Sequence, residues 1–332
     1  MIHRRQGLLP SVRGLGEGGN QTTGIAENAT AAKAGDAYGV DLMRVAIHSV
    51  DGMNFPNLAL MRISAWHKAQ GDDVEWFAPL MRYDRVYASK VFRYTPDDPY
   101  LPANAIRGGT GYNCNTRLPP GIEKMSPDYT IYPQFTAAYG FLTRGCPNNC
   151  PWCVVPHKEG SLHVVADIAQ ICQTNTGFRR DVVLMDNNFL AAPLGFIRAQ
   201  IRKAKDMHLR LDFNQATDAR LYTDETAQVM ASVHYLKWAR LACDTDAQLP
   251  ACLNAIRLLR KYGCRKDIMV YVMAKNDGIE SALARISALT AADPRTVPFV
   301  MPYRSLEDNS VLPSAELKQL ARWCNRVWIR KS

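Results

Sequence analysis

No apolar run in the 332-residue sequence reaches the ~18 residues that a membrane-spanning helix needs. The greasiest stretch, at residues 58–65, is interrupted by Arg62. Five consecutive Lys or Arg residues occur nowhere, so no basic tract marks a tail for nucleic acid. Nor do the cysteines form an even set behind a signal segment. Nine of them in a chain this long argue against a secreted disulfide framework. With 47% hydrophobic and 21% charged residues, collagen, coiled coil and wholesale disorder are excluded too. What remains is a soluble, cytoplasmic protein with no membrane partner.

The net charge of +9 is uneven. Residues 1–42 carry four basic and four acidic side chains, residues 43–138 ten and nine, and residues 139–332 twenty-six and eighteen. A basic C-terminal part attracts phosphates or an anionic substrate; the plainer alternative is a solvated surface. Residues 1–42 are rich in Gly, Ala, Thr and Asn with weak apolar periodicity, which predicts a disordered arm or an extension, with Met43 as an alternative start.

Residues 43–50 (MRVAIHSV) read as a buried strand, and Pro56 as the opening of a helix through about Gln70. Strands at 74–77 and 84–87 follow, making 43–138 a small open, Rossmann-like α/β layer. Gly108, Gly109 and Gly111 mark a turn or close-approach loop without the setting of a dinucleotide fingerprint. From residue 139 the rhythm changes. Strand candidates start at 139, 182, 209, 236, 268 and 297, with helical segments expected at 166–174, 194–207, 223–232, 249–262, 279–290 and 314–327. One βα unit takes roughly 30 residues, and a full eight-unit barrel ~250. The 194 residues of 139–332 therefore predict a (βα)6 partial TIM barrel, its active face at the C-terminal strand ends.

The first of these strands is expected to end at Thr143, and the sequence RGCPNNCPWC follows at once. Cys146, Cys150 and Cys153 fall in C-x3-C-x2-C spacing, with Gly145, Pro147 and Pro151 keeping the loop out of helix. Three thiolates on one short loop can converge on a metal centre, and soft sulfur suits zinc or iron–sulfur. Structural zinc wants four ligands in two pairs; here there is one triplet, with His157 as a conceivable fourth. On a 4Fe–4S cluster, three cysteines leave one iron open for substrate.

The triplet, with Trp152 before its third cysteine and a strand ahead of it, resembles the signature of the radical S-adenosylmethionine (SAM) superfamily. The resemblance covers about residues 139–305. It implies that Cys146, Cys150 and Cys153 bind a 4Fe–4S cluster whose fourth iron chelates SAM. An electron from a flavodoxin- or ferredoxin-type donor then cleaves SAM, and the 5′-deoxyadenosyl radical abstracts hydrogen from an unidentified substrate, which the basic charge suggests is anionic. It also implies cofactor contacts at the strand ends. Asp186, Asn187 or Asn188 would take the methionine ammonium, Asp244 the ribose, and Arg220 a carboxylate or an anionic substrate. Gln215 closes the third strand, and Met301 borders the adenine. The alternatives are capping by the 186–188 segment, a local Asp218–Arg220 ion pair, and core packing for Met301.

The segments DNNFLAAP, FNQATDARL and MPYRSLE resemble members with a cobalamin-binding-like N-terminal domain. Those members bind base-off cobalamin through D-x-H-x-x-G, which 43–138 lacks, so cobalamin is not inferable. Methylthiotransferases of the superfamily hold a second cluster on three N-terminal cysteines, where this chain has only Cys114 in 43–138. Cys243, Cys252, Cys264 and Cys324 lie too far apart in sequence to read as an auxiliary cluster. A different class of function is an iron–sulfur protein that binds nucleic acid or senses redox state without turnover.

Overall fold

Asn57, not Pro56, starts the first helix. Its side-chain oxygen accepts from the backbone N–H groups of Ala59 and Leu60, which caps α1 (Leu58–Lys68). The structure is a computed structural model that describes residues 42–306, 308 and 310–326; the arm expected at 1–42 lies, but for Leu42, outside the described residues. α1 follows β1 (Arg44–Ser49), whose Val45, Ala46 and Ile47 are wholly buried. β2 (Asp73–Trp76), β3 (Arg85–Ser89) and β4 (Ile106–Gly108) complete a parallel sheet in the order β2-β1-β3-β4. The fourth strand is an addition to the three expected. It is held where a close approach allows it: a Cβ on Gly109, at φ +94°, would overlap the Lys90 carbonyl.

The second half is α/β as expected. β5 (Ala138–Gly140), β6 (Asp181–Leu184) and β7 (Arg210–Phe213) pair in parallel. β8 (Ala239–Ala242), β9 (Ile268–Ala274) and β10 (Thr296–Pro302) form a second parallel sheet, with Thr217–Asp218 at its edge. A parallel bridge between Leu211 and Tyr235 links the two. Each strand is followed by a helix: α2 (Ile168–Cys172), α3 (Leu194–Asp206), α4 (Asp224–Ala231), α5 (Leu249–Lys261), α6 (Ile279–Ala292) and α7 (Ala315–Asn325). Their apolar faces and the strands share one core, including Ile168, Leu184, Ile197, Leu241, Leu259 and Val270. On the opposite strand face Asp212 grips Arg240 through two hydrogen bonds of 2.6 Å, and Arg240 also meets the Tyr271 hydroxyl. Among the described residues no helix is long and apolar enough to cross a membrane.

The first strand of this half stops at Gly140, three residues before the expected end at Thr143. The Leu142 and Thr143 N–H groups leave the ladder for the Asp186 carboxylate (3.1 and 2.6 Å), and Thr143–Arg144 pairs antiparallel with His163–Val164 instead. The outer edge of β5 is closed by Tyr129. Its hydroxyl accepts from the Tyr139 N–H at 2.7 Å and donates to the Tyr139 carbonyl at 3.3 Å. Arg179 lies over the Tyr129 ring and donates to the carbonyls of Phe135 and Ala137.

Asp128, just before Tyr129, joins these parts. It is 2% exposed and accepts from Ser64, Lys68, Thr130 and Asn175 at 2.7–2.9 Å. Burial alone would raise its pKa, but these bonds, led by Lys68, hold it well below the usual carboxylate range. A depressed carboxylate stabilises the fold above its unfolded pKa and loses that contribution only as pH falls through the folded value. Asp128→Ala should cost about 2–4 kcal/mol in urea unfolding at pH 7, since it strands several buried donors. A loss under ~0.5 kcal/mol, the ordinary surface range, would show the network to be slack.

Candidate metal and cofactor site

The cysteine loop is clamped at its stem. Beyond the 143–144 and 163–164 pairing, the Cys146 N–H bonds the Gly160 carbonyl at 3.1 Å. Gly145 sits at φ +82°, and a Cβ there would overlap the carbonyls of Gly160 and Ser161, so only glycine fits. Arg144 ties the stem outward, to Glu159 at 2.9 Å and to Glu123 at 2.7 Å, and Glu123 also pairs with Arg62 of α1.

Around the thiols the polar side chains form one set. The Cys146 sulfur receives the Asn188 side-chain amide at 3.4 Å and the Asn148 backbone N–H at 3.5 Å. Asn187 accepts from the Gly145 N–H at 2.9 Å. Asp218 accepts from Asn148 at 2.9 Å and holds Arg220 through bonds of 2.7 and 2.8 Å. Cys150 and Cys153 lie within electrostatic reach of Cys146 and Asp244, and burial pushes both thiols above their usual pKa. Metal binding by such thiols must release protons. Burial also raises Asp244, opposed by the Trp152 indole beside it and by Arg285. Among the described residues no three of His, Cys, Asp or Glu stand together as ligands for a single metal ion.

The expected cofactor residues divide accordingly. Asn187, Asn188 and Arg220 meet at the cysteine loop, although Arg220 is committed to Asp218, the local ion pair that was its alternative. Trp152 and Asp244 line a cavity of about 190 Å³ with Met273, Lys275 and Arg285. That is below the ~300 Å³ of ordinary ligand clefts, room for part of a ligand. Asp186 faces away from this set: both its oxygens are occupied by Leu142 and Thr143. Gln215 is exposed with no partner among the described residues, in a turn where Ala216 adopts φ +66°. Met301 is 46% exposed, in register with Met273. His157 is exposed.

Contacts that sequence reasoning missed close the mouth on its far side. Lys158 bonds Thr110 at 2.6 Å, and Arg117 bonds the Lys158 carbonyl. The Gly111 N–H bonds the Lys90 carbonyl at 2.8 Å. From there Arg93 reaches the Leu306 carbonyl, and Arg304 lies over the Tyr94 ring at 3.9 Å. Tyr303 completes the circuit, bonding Ala274 at 2.8 Å and facing Lys275. The loops after β3 and β4 thus join the strand ends that carry the thiols. No short-range pattern marks them, because every partner is more than 20 residues away in sequence. A larger cavity, about 470 Å³ and lined by Phe77, Arg82, Tyr83 and Tyr100, lies on the layer's outer sheet face and shares no residue with this site. No protein-family model matches the chain, nor does any curated protein.

Asp186 carries a pH signature. Burial pushes it up to about 6, against the pull of the Thr143 and Leu142 hydrogen bonds. A raised carboxyl favours the fold at acidic pH, and the contribution is lost as pH climbs from the unfolded value through about 6. Relative to Asp186→Asn, the protein should lose roughly 2–3 kcal/mol of unfolding free energy between pH 4 and 7. A pH-independent difference between the two would mean that the carboxyl is ionised throughout.

Proposed function

We propose that the protein is a radical SAM enzyme, with residues 138–326 forming a (βα)6 partial TIM barrel. The observation that carries this reading is the cysteine triplet on a clamped loop at the C-terminal ends of parallel strands, beside the Trp152–Asp244 cavity. Six strands follow one another in parallel, and the Leu211–Tyr235 bridge joins their two sheets.

The donor set suits a cluster. A single ion draws its thiolates to one point, whereas each cysteine on a 4Fe–4S cluster binds a different iron and the three stand apart. Cys146, Cys150 and Cys153 would hold it, and the N–H groups of Asn148 and Asn188 would offset charge on the Cys146 sulfur. A cluster held there, once reduced by a flavodoxin- or ferredoxin-type donor, would supply the electron for reductive cleavage of SAM and so the hydrogen-abstracting chemistry on substrate.

The chain's own residues do the rest. The Asn188 side-chain oxygen is buried with no hydrogen-bond partner among the described residues, an acceptor for the SAM ammonium beside Cys146. Asp244, with Trp152 against it, accepts from a ribose diol. Asp186 orients the stem rather than the cofactor. Arg144, Gly145 and the Thr143–Arg144 pairing fix the thiols before any metal arrives. In the N-terminal layer the crevice between the ends of β1 and β3, where such sheets seat ligands, is bridged by Asp51, which accepts from Val91, Phe92 and Thr95. His48, on β1, faces Asp98. The layer's role in this reading is to close the mouth. Cys172, Cys243, Cys252 and Cys264, buried and not bridged as disulfides, fit a reducing cytoplasm.

Anaerobic reconstitution should load about four irons and four sulfides per chain. Cys146→Ala, Cys150→Ala and Cys153→Ala should each abolish loading, and the reduced protein should release 5′-deoxyadenosine from SAM. Stoichiometric zinc in place of iron would overturn the reading.

Asp244→Ala should keep the cluster but weaken SAM binding about tenfold to a hundredfold, the worth of one or two charge-assisted hydrogen bonds. Unchanged SAM affinity in the loaded variant would remove Asp244 from the site.

A further inference from the structure

We propose that the stack of Phe92, Tyr94 and Arg304 is the substrate-recognition wall of this mouth, built for a small molecule whose planar ring carries an anionic group. The proposal rests on the mouth being an active site and adds the chemical class of its substrate.

Phe92 and Tyr94 stack with centroids 5.2 Å apart and planes at 21°, yet they remain 48% and 45% exposed. Two adjacent rings left half in water are costly unless a ligand covers them. Their loop does not hang free. Arg93, between them, anchors it to the Leu306 carbonyl, and the Asp51 carboxylate accepts from Val91, Phe92 and Thr95. The platform is thus fixed at both ends, and a ring can add to the stack without first ordering the loop.

Charge points the same way. The arginines beside the thiols and the cavity are paired with acids, Arg144 with Glu123 and Glu159, Arg220 with Asp218 and Arg285 with Asp246, while Arg93 and Arg117 donate to the Leu306 and Lys158 carbonyls. Arg304 has no acidic partner among the described residues and is held by the Tyr94 face, and Lys275 faces the Tyr303 ring rather than an acid. A guanidinium stacked through its face keeps its in-plane N–H groups for a phosphate or carboxylate. Asp244 and Lys275 line one cavity at the strand ends, and Arg304 stands against the layer's Tyr94 with no counter-charge among the described residues. A strand of nucleic acid would need a row of stacking platforms along a basic groove. The Phe92–Tyr94 stack beside the Arg304 guanidinium fits one ring and one anionic group.

The test is calorimetric titration of the metal-free, full-length protein with uridine 5′-monophosphate, uridine, ribose 5-phosphate and a uridine oligonucleotide. Binding is read without cluster or turnover, so failure of the radical SAM reading and failure of this one remain distinguishable. The monophosphate should bind more tightly than uridine or ribose 5-phosphate. Arg304→Gln should weaken the monophosphate about tenfold to a hundredfold and leave uridine unchanged, with Arg304→Lys partly restoring it. Phe92→Ala should weaken monophosphate and uridine alike by about tenfold and spare ribose 5-phosphate. Three results would overturn the proposal: no monophosphate binding by the folded wild type, equal affinity in wild type and variants, or a clear preference for the oligonucleotide over the monophosphate.

Discussion

The backbone N–H groups of Leu142 and Thr143 share one acceptor, the carboxylate of Asp186, and the form of the mouth depends on that exchange. Had they continued the ladder with β6, the strand would have run straight into the cysteine segment and left it as an open extension. Diverted, the chain turns outward and pairs with residues 163–164, so that residues 145–162 become a loop closed at its base. The exchange buries a carboxyl almost completely, which is costly. Two backbone donors and the Thr143 hydroxyl offset the cost. The Gly145 and Arg144 contacts then make sense as consequences, since they tighten a stem that Asp186 has already formed.

Local features were legible in the sequence. The helices of the second half begin and end within two or three residues of their expected bounds, because each carries an apolar face at helical period and several begin behind a side-chain cap. Asp167 before α2, Thr223 before α4 and Ser314 before α7 each accept from the first turn. The cysteine spacing could be read as chemistry because eight residues contain all of it. The early end of β5 could not, since the ligand that draws its N–H groups away is more than 40 residues downstream. The bonds from Leu142 and Thr143 to Asp186 were hidden for the same reason: sequence puts Asp186 at a strand end, but only the fold shows which way its oxygens turn. β4 was invisible because three residues are too few to set a period. Arg144 illustrates the limit best, since Glu123 and Glu159 flank it at distances that no helical or strand repeat would pair.

The layer and the second half also share a boundary that neither could make alone. Residues 128–137 run along the free side of β5, and Tyr129 offers a hydroxyl where a neighbouring strand would have offered a peptide group. An exposed parallel edge invites pairing with another chain, and a buried phenol is an unusual way to refuse it. The joint is therefore not a linker between interchangeable modules. A recombination event that brought residues 138 onward behind a foreign N-terminal partner would inherit the thiols and the strands but not the hydroxyl, and the product would carry a raw edge into the cell.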